Sequence, residues 1–197
     1  MKLETAEELW KGFTDVPIAL LAVLFGVLLR QKKGWREMFF LLAVTALLGT
    51  AVHVLVIPEP LHSVLWSVEF GLLFALIGLF SHRMEVYLTQ KPVKEPKTVI
   101  FSGLVLWICA VILRFTFPNA DIYMLVPYAV GLMIRIVVCF AQQEKKPLLM
   151  KLLLPVLLAA LAAQALKDVI PYGVVFVHAF IAAALFVVYR MGRESEL

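Results

Sequence analysis

Seven apolar stretches, each near the ~20 residues that a helix needs to cross a hydrocarbon core of ~30 Å, follow one another along this chain with short polar connections between them. They run approximately over Phe13–Leu29, Met38–Ile57, Leu61–Phe80, Val99–Phe117, Ile122–Ala141, Pro147–Leu166 and Val169–Tyr189. Lipid offers a backbone no hydrogen bonds, so only helices and closed barrels can lie in it. The stretches are continuous and rich in Leu and Ala, without the in/out alternation of barrel strands. They predict an all-α bundle of seven transmembrane helices, one domain over residues 1–197, multi-pass in the cell membrane. Composition agrees: 62% of the 197 residues are hydrophobic and 16% charged, too much apolar surface for a water-soluble domain of this size to bury.

The first stretch resembles the core of a signal peptide in length. Its leading segment is acidic (Glu4, Glu7, Glu8), its positive cluster follows it, and no small-x-small cleavage pattern is present. It reads as a retained helix with its amino end outside. Basic residues favour the cytoplasmic side, and 13 of the 18 Lys and Arg fall after helices one, three and five and in the tail. These are Arg30, Lys32, Lys33, Arg36, Arg83, Lys91, Lys94, Lys97, Lys145, Lys146, Lys151, Arg190 and Arg193. The opposite side holds Lys2, Lys11 and Lys167, with Arg114 and Arg135 inside spans. The carboxyl terminus is therefore expected in the cytoplasm. Basic clusters placed between apolar runs are loop signals, and nucleic acid is excluded as a partner.

Pro17, Pro147 and Pro171 fall in expected first turns, Pro58 and Pro60 in the turn between helices two and three, and Pro127 and Pro155 within helices five and six, where a kink is expected. His82 to Thr98, with Pro92 and Pro96, reads as the longest loop. Cys109 and Cys139 differ in expected depth by roughly 15 Å at ~1.5 Å per residue, beyond disulfide reach. No internal repeat or low-complexity segment is present.

An ionisable group in hydrocarbon costs a few kcal/mol or more and marks a candidate site. His53 is expected in the outer part of helix two, Glu69 about a third of the way into helix three and His178 near the middle of helix seven. Asp15, His62, Asp121, Lys167 and Asp168 stand at the outer mouths, with Arg114 near them. This asymmetry predicts a cavity open to the outside. Two imidazoles and a carboxylate are a catalytic zinc set with a fourth position for water, which would become a nucleophile near neutral pH. His53, His178 and Glu69 are accordingly the metal-ligand candidates, Glu69 also serving catalysis, and Asp15 and Arg114 would place a head group. Their depths differ by up to ~8 Å at ~1.5 Å per residue. The same residues admit a plainer reading, in which the histidines bond neighbours and Glu69 pairs with Arg114 or a histidine. His62 reads as interfacial, Asp121 and Asp168 as caps of helices five and seven, and Arg135 as snorkelling to head groups. Trp10 and Trp35 read as interfacial anchors, Trp66 and Trp107 as packing residues.

Signatures of serine hydrolases, zincins, P-loops and dinucleotide folds are missing, as is a lysine midway along helix seven for a retinal Schiff base. Three segments resemble the CREST superfamily of alkaline ceramidases and progestin and adipoQ receptors. Gly49-Thr50-Ala51-Val52-His53 keeps the spacing of that family's Ser-x-x-x-His with Gly for Ser. Glu69-Phe70-Gly71-Leu72 is similar to its Asp-Tyr-x-Gly region. Helix seven supplies His178 alone, since Val174 and Ala182 stand where a second histidine would be. The chain also looks like bacterial seven-span proteins of unassigned function with a Thr-Asp pair, here Thr14-Asp15, and a final helix running from His178 to Tyr189-Arg190. The first resemblance implies zinc-dependent hydrolysis of a lipid substrate, with either Glu69 standing in for the lost ligand or the site no longer holding metal. The sequence-based expectation is thus a metal-assisted hydrolase acting on a lipid or other amphipathic molecule. Its rivals are a small-solute or ion transporter or channel, for which the inner half offers little polar lining besides Arg135, and a sensor or scaffold without chemistry.

Overall fold

Helix begins at Leu3, well before the first apolar stretch, and dominates the chain. The computed structural model describes residues 3–55, 57–90, 97–114, 116–117, 120–144, 147–166, 169 and 173–195, with the side chains of residues 3–8, 121 and 165 outside that description. Lys2, Lys91, Pro92, Lys94, Pro96, Lys145, Lys146, Lys167, Asp168 and Pro171 lie outside the described residues, as do the Asp121, Glu4, Glu7 and Glu8 side chains. The described residues form α1 (Leu3–Leu28), α2 (Lys33–Val54), α3 (Glu59–Thr89), α4 (Lys97–Leu113), α5 (Ala120–Ala141), α6 (Leu148–Leu166) and α7 (Gly173–Glu194). Five of these, α1, α2, α3, α5 and α7, are long and apolar enough to cross a bilayer, and α4 and α6 supply shorter apolar helices. Helices of this length and composition make an all-α membrane protein.

Several ends differ from the apolar stretches. Because α1 starts at Leu3, Pro17 lies inside it and not in a first turn, where it removes one i→i−4 bond. The expected loop from His82 is helical as far as Thr89. Met84, Val86, Tyr87 and Leu88 are buried there, so packing carries the helix beyond its most apolar part until the prolines downstream. At the other extreme α4 stops at Leu113, short of Phe117, and α7 starts at Gly173, so His178 lies in its second turn and not near its middle.

Two compact units emerge from the packing. The first comprises Met1–Glu59 and Pro147–Glu194, in which α1 lies against α2 and α7, and α6 against α7. Its core is built on Phe25, whose ring stacks on Tyr189 at 4.5 Å and meets Phe39 and Phe186 edge-on. Close helix approach depends on missing side chains, as is usual where lipid gives no hydrophobic drive. A Cβ on Gly12 would run into Val54 and stand 3.2 Å from the Thr50 carbonyl oxygen. The second unit is Pro60–Lys146 with the last three residues. There Gly71 admits the Trp107 indole, and Gly78 and Gly103 both make room for Tyr128, whose hydroxyl donates to the Val99 carbonyl at 2.8 Å.

Candidate functional site between α1 and α7

Thr14 and Asp15 are neighbours on α1, about 100° apart around the helix axis, and α7 presents one side chain to both. Gly12 fixes the stage. Its missing side chain lets α1 press against α2, where Thr50 donates to the Gly12 carbonyl at 3.2 Å. On α7, His178 then stands with Nδ1 2.9 Å from the Thr14 hydroxyl and Nε2 3.0 Å from Asp15 Oδ1. Asp15 and His178 keep only 17% and 19% of their side-chain surface exposed, so their polar atoms rely mainly on protein partners and little on water.

Three further acceptors, all backbone carbonyls, complete the cluster. His178 Nδ1 is also 2.9 Å from the Val174 carbonyl one turn earlier, and Thr14 Oγ1 is 2.9 Å from the carbonyls of both Trp10 and Lys11. A neutral ring donates from Nε2 to Asp15 and accepts the Thr14 proton at Nδ1. A charged ring donates from both nitrogens, to Asp15 and to Val174 or Thr14, while the Thr14 hydroxyl turns its proton to a backbone carbonyl. Both states leave every donor satisfied. The arrangement is a hydroxyl, an imidazole and a carboxylate in hydrogen-bonded order, able to hold or pass a proton.

Asp15 and His178, expected at different depths, are in contact across α1 and α7. His53 sits in the last turn of α2, its Cβ 3.3 Å from where a Gly12 Cβ would stand. Glu69 and Arg114 belong to the second unit. One Glu69 oxygen, Oε2, is buried on α3, and Arg114 donates to Ser67 Oγ at 3.3 Å. Among the described residues no three His, Cys, Asp or Glu side chains are gathered closely enough to hold a metal ion.

Other side chains take different places from those expected. Arg135 has a partner that its expected role did not include: its guanidinium donates to Glu85 Oε2 at 2.6 Å, a residue that the sequence reading assigns to a loop. Trp35 is no interfacial anchor, being 1% exposed, whereas Trp10 is half exposed. His62 stacks on Trp66. Cys109 and Cys139 are free thiols. Thr14, noted in the sequence only as half of a Thr-Asp pair, is the functional candidate that charge-based reasoning passes over, since a hydroxyl in an apolar helix gives no signal of its own.

No curated protein and no solved structure matches the chain. One family does, over residues 11–197, a stretch that holds Thr14, Asp15 and His178 together. By that match the chain belongs to DUF6962, a family of unknown function.

Proposed function

We propose that this chain is a seven-span protein of the cell membrane, amino end outside and carboxyl end cytoplasmic, that hydrolyses an ester or amide bond in a lipid or other amphipathic substrate at Thr14, His178 and Asp15. The observation that carries this reading is the His178 ring, bracketed by a hydroxyl on one nitrogen and a carboxylate on the other, the order in which nucleophile, base and orienting acid act in hydroxyl-based hydrolases. His178 Nδ1 takes the Thr14 proton as Oγ1 attacks the substrate carbonyl carbon. Asp15 stabilises the imidazolium, which then passes that proton to the departing alcohol or amine. Water, deprotonated by the same nitrogen, frees the acyl group from Thr14 and restores the hydroxyl. The bias of basic residues supports the orientation, and a wide apolar surface around the cluster suits an amphipathic substrate.

A second reading, a proton-responsive sensor without turnover, is favoured by the Val174, Trp10 and Lys11 carbonyls, which leave the charged ring fully bonded. A fluorophosphonate or β-lactone probe on the reconstituted protein separates the two. Modification of Thr14, retained in Thr14→Ser and lost in Thr14→Val and His178→Ala, supports hydrolysis. A Thr14 that stays unmodified, together with no release of fatty acid from a panel of lipid esters and amides, defeats hydrolysis and leaves the sensor. Zinc that co-purifies and is lost in His178→Ala would instead move the chemistry to a metal.

A further inference from the structure

Three buried residues meet at one end of the first unit. A Cβ on Gly192 would stand 2.9 Å from a Leu29 methyl and 3.3 Å from the Trp35 indole, so the end of α1, the start of α2 and the end of α7 touch there. Counted along α1 and α7 at ~1.5 Å per residue, this end lies roughly 20 Å from Thr14 and His178. Each of the three residues is followed in the sequence by an arginine, namely Arg30, Arg36 and Arg193. Arg30 and Arg193 are exposed and Arg36 is half-buried. Arg36 Nη1 donates to the Arg30 carbonyl at 3.3 Å, which brings its guanidinium to the turn between α1 and α2. The acidic side chains described at these helix ends, Glu37 and Glu194, stand beside other cations, Lys33 at 4.0 Å and Arg190 at 3.3 Å.

What this end lacks is acceptors. No side chain caps α2, and its first turn holds no acidic residue, which leaves its first amides open to an outside acceptor. In the layer beneath, the Trp35 indole N–H is buried without a hydrogen-bond partner. Phosphate supplies what is missing: helix N-termini favour it, and the planar fork of Arg donates two parallel hydrogen bonds to it. The surface next to the arginines is apolar, with Val27, Leu28 and Phe40 exposed, which suits acyl chains. Basic clusters at the ends of membrane helices take anionic head groups. We propose that the meeting point of α1, α2 and α7 binds an anionic membrane phospholipid, its phosphate held by Arg30, Arg36 and Arg193 and its chains lying along Val27, Leu28 and Phe40. This site is separate from the Thr14, Asp15 and His178 cluster and stands whether or not that cluster is hydrolytic.

Native mass spectrometry of the full-length protein, released from micelles holding phosphatidylglycerol and phosphatidylcholine at equal low mole fraction, provides the test by counting the first lipid bound. Phosphatidylglycerol is expected to prevail, with about five-fold of the ratio supplied by each exposed arginine. Arg30→Gln and Arg193→Gln each lower the ratio by that factor, and Arg30→Lys/Arg193→Lys keeps most of the preference. Lys97→Gln/Lys151→Gln removes two positive charges elsewhere and leaves the ratio unchanged. Equal binding of the two lipids by the unaltered protein overturns the inference whether or not the variants fold. So does an equal fall in Lys97→Gln/Lys151→Gln, which would make the preference a property of overall charge, or displacement of the lipid by millimolar inorganic phosphate, which would assign the site to a soluble anion.

Discussion

His178 Nε2 and Asp15 Oδ1, 3.0 Å apart, tie the first helix of the chain to the last. Each is more than four-fifths buried, so removing one strands a polar group on the other. Asp15→Ala and His178→Ala are each expected to lower stability by about 1–3 kcal/mol. The double variant should cost about 1 kcal/mol less than the sum, the coupling typical of touching polar residues in membrane bundles. Denaturant unfolding in mixed micelles measures both quantities, and strict additivity would show that the pair does not interact. Asp15→Asn keeps the contact without the charge. On the hydrolytic reading it retains much of the stability while turnover falls by orders of magnitude.

Gly12 is a second test of the same seam. Alanine gains up to about 1 kcal/mol in helix propensity, but its methyl meets Val54 and the Thr50 backbone oxygen. Overpacking costs of about 1–3 kcal/mol decide the sign, so Gly12→Ala is destabilising. Since Val54 is the nearest obstacle, Val54→Ala should recover part of the loss in the Gly12→Ala background. Thermal unfolding of the two single variants and the double reads the result, and a stabilising Gly12→Ala would mean that α1 and α2 are further apart.

Hydropathy made the seven helices legible because lipid imposes one length and one composition on whatever crosses it. It misplaced their ends where a helix continues beyond its apolar run, as α3 does through Met84 and Tyr87 and α1 does from Leu3. The helix starts give Asp15 and His178 other positions along α1 and α7 than the apolar stretches do. Both were recognisable as chemical candidates from their types alone. What packed against them was not, because pairing follows from which faces two distant helices turn to each other, and that is set by residues such as Gly12 that carry no chemistry. Glu85 shows the converse: assigned to a loop, it was lost as a partner for Arg135.

That pair yields a third prediction. Arg135 and Glu85 join α5 to α3 with side chains 49% and 22% exposed outside a bilayer. In water such a pair is worth little, but an unpaired charge facing hydrocarbon costs about 2.5–3.5 kcal/mol at mid-membrane and less toward the surface. Glu85→Gln should therefore destabilise the protein more than the double variant Glu85→Gln/Arg135→Gln, and the swap Glu85→Arg/Arg135→Glu should restore most of the stability. The comparison is made in bilayers or bicelles. A double variant as unstable as the single one would show that the charge of Arg135 is not balanced by Glu85.

The proposed seven-span topology turns on the two shorter helices, α4 and α6; α4 has 17 residues and at ~1.5 Å per residue is about 26 Å long, a few ångströms under the usual hydrocarbon thickness. A shortfall of that size is met by local thinning of the bilayer at fractions of a kcal/mol per ångström, far less than the cost of leaving so apolar a helix in water. Single cysteines in a Cys109→Ala/Cys139→Ala background test the crossing. An impermeant maleimide added to intact cells should label Glu59→Cys, at the start of α3, and Thr116→Cys, just past α4, while Gln31→Cys and Gln143→Cys react only after permeabilisation. Protection of Thr116→Cys alongside labelling of Glu59→Cys would mean that α4 turns back without crossing, and the helices after it would change sides.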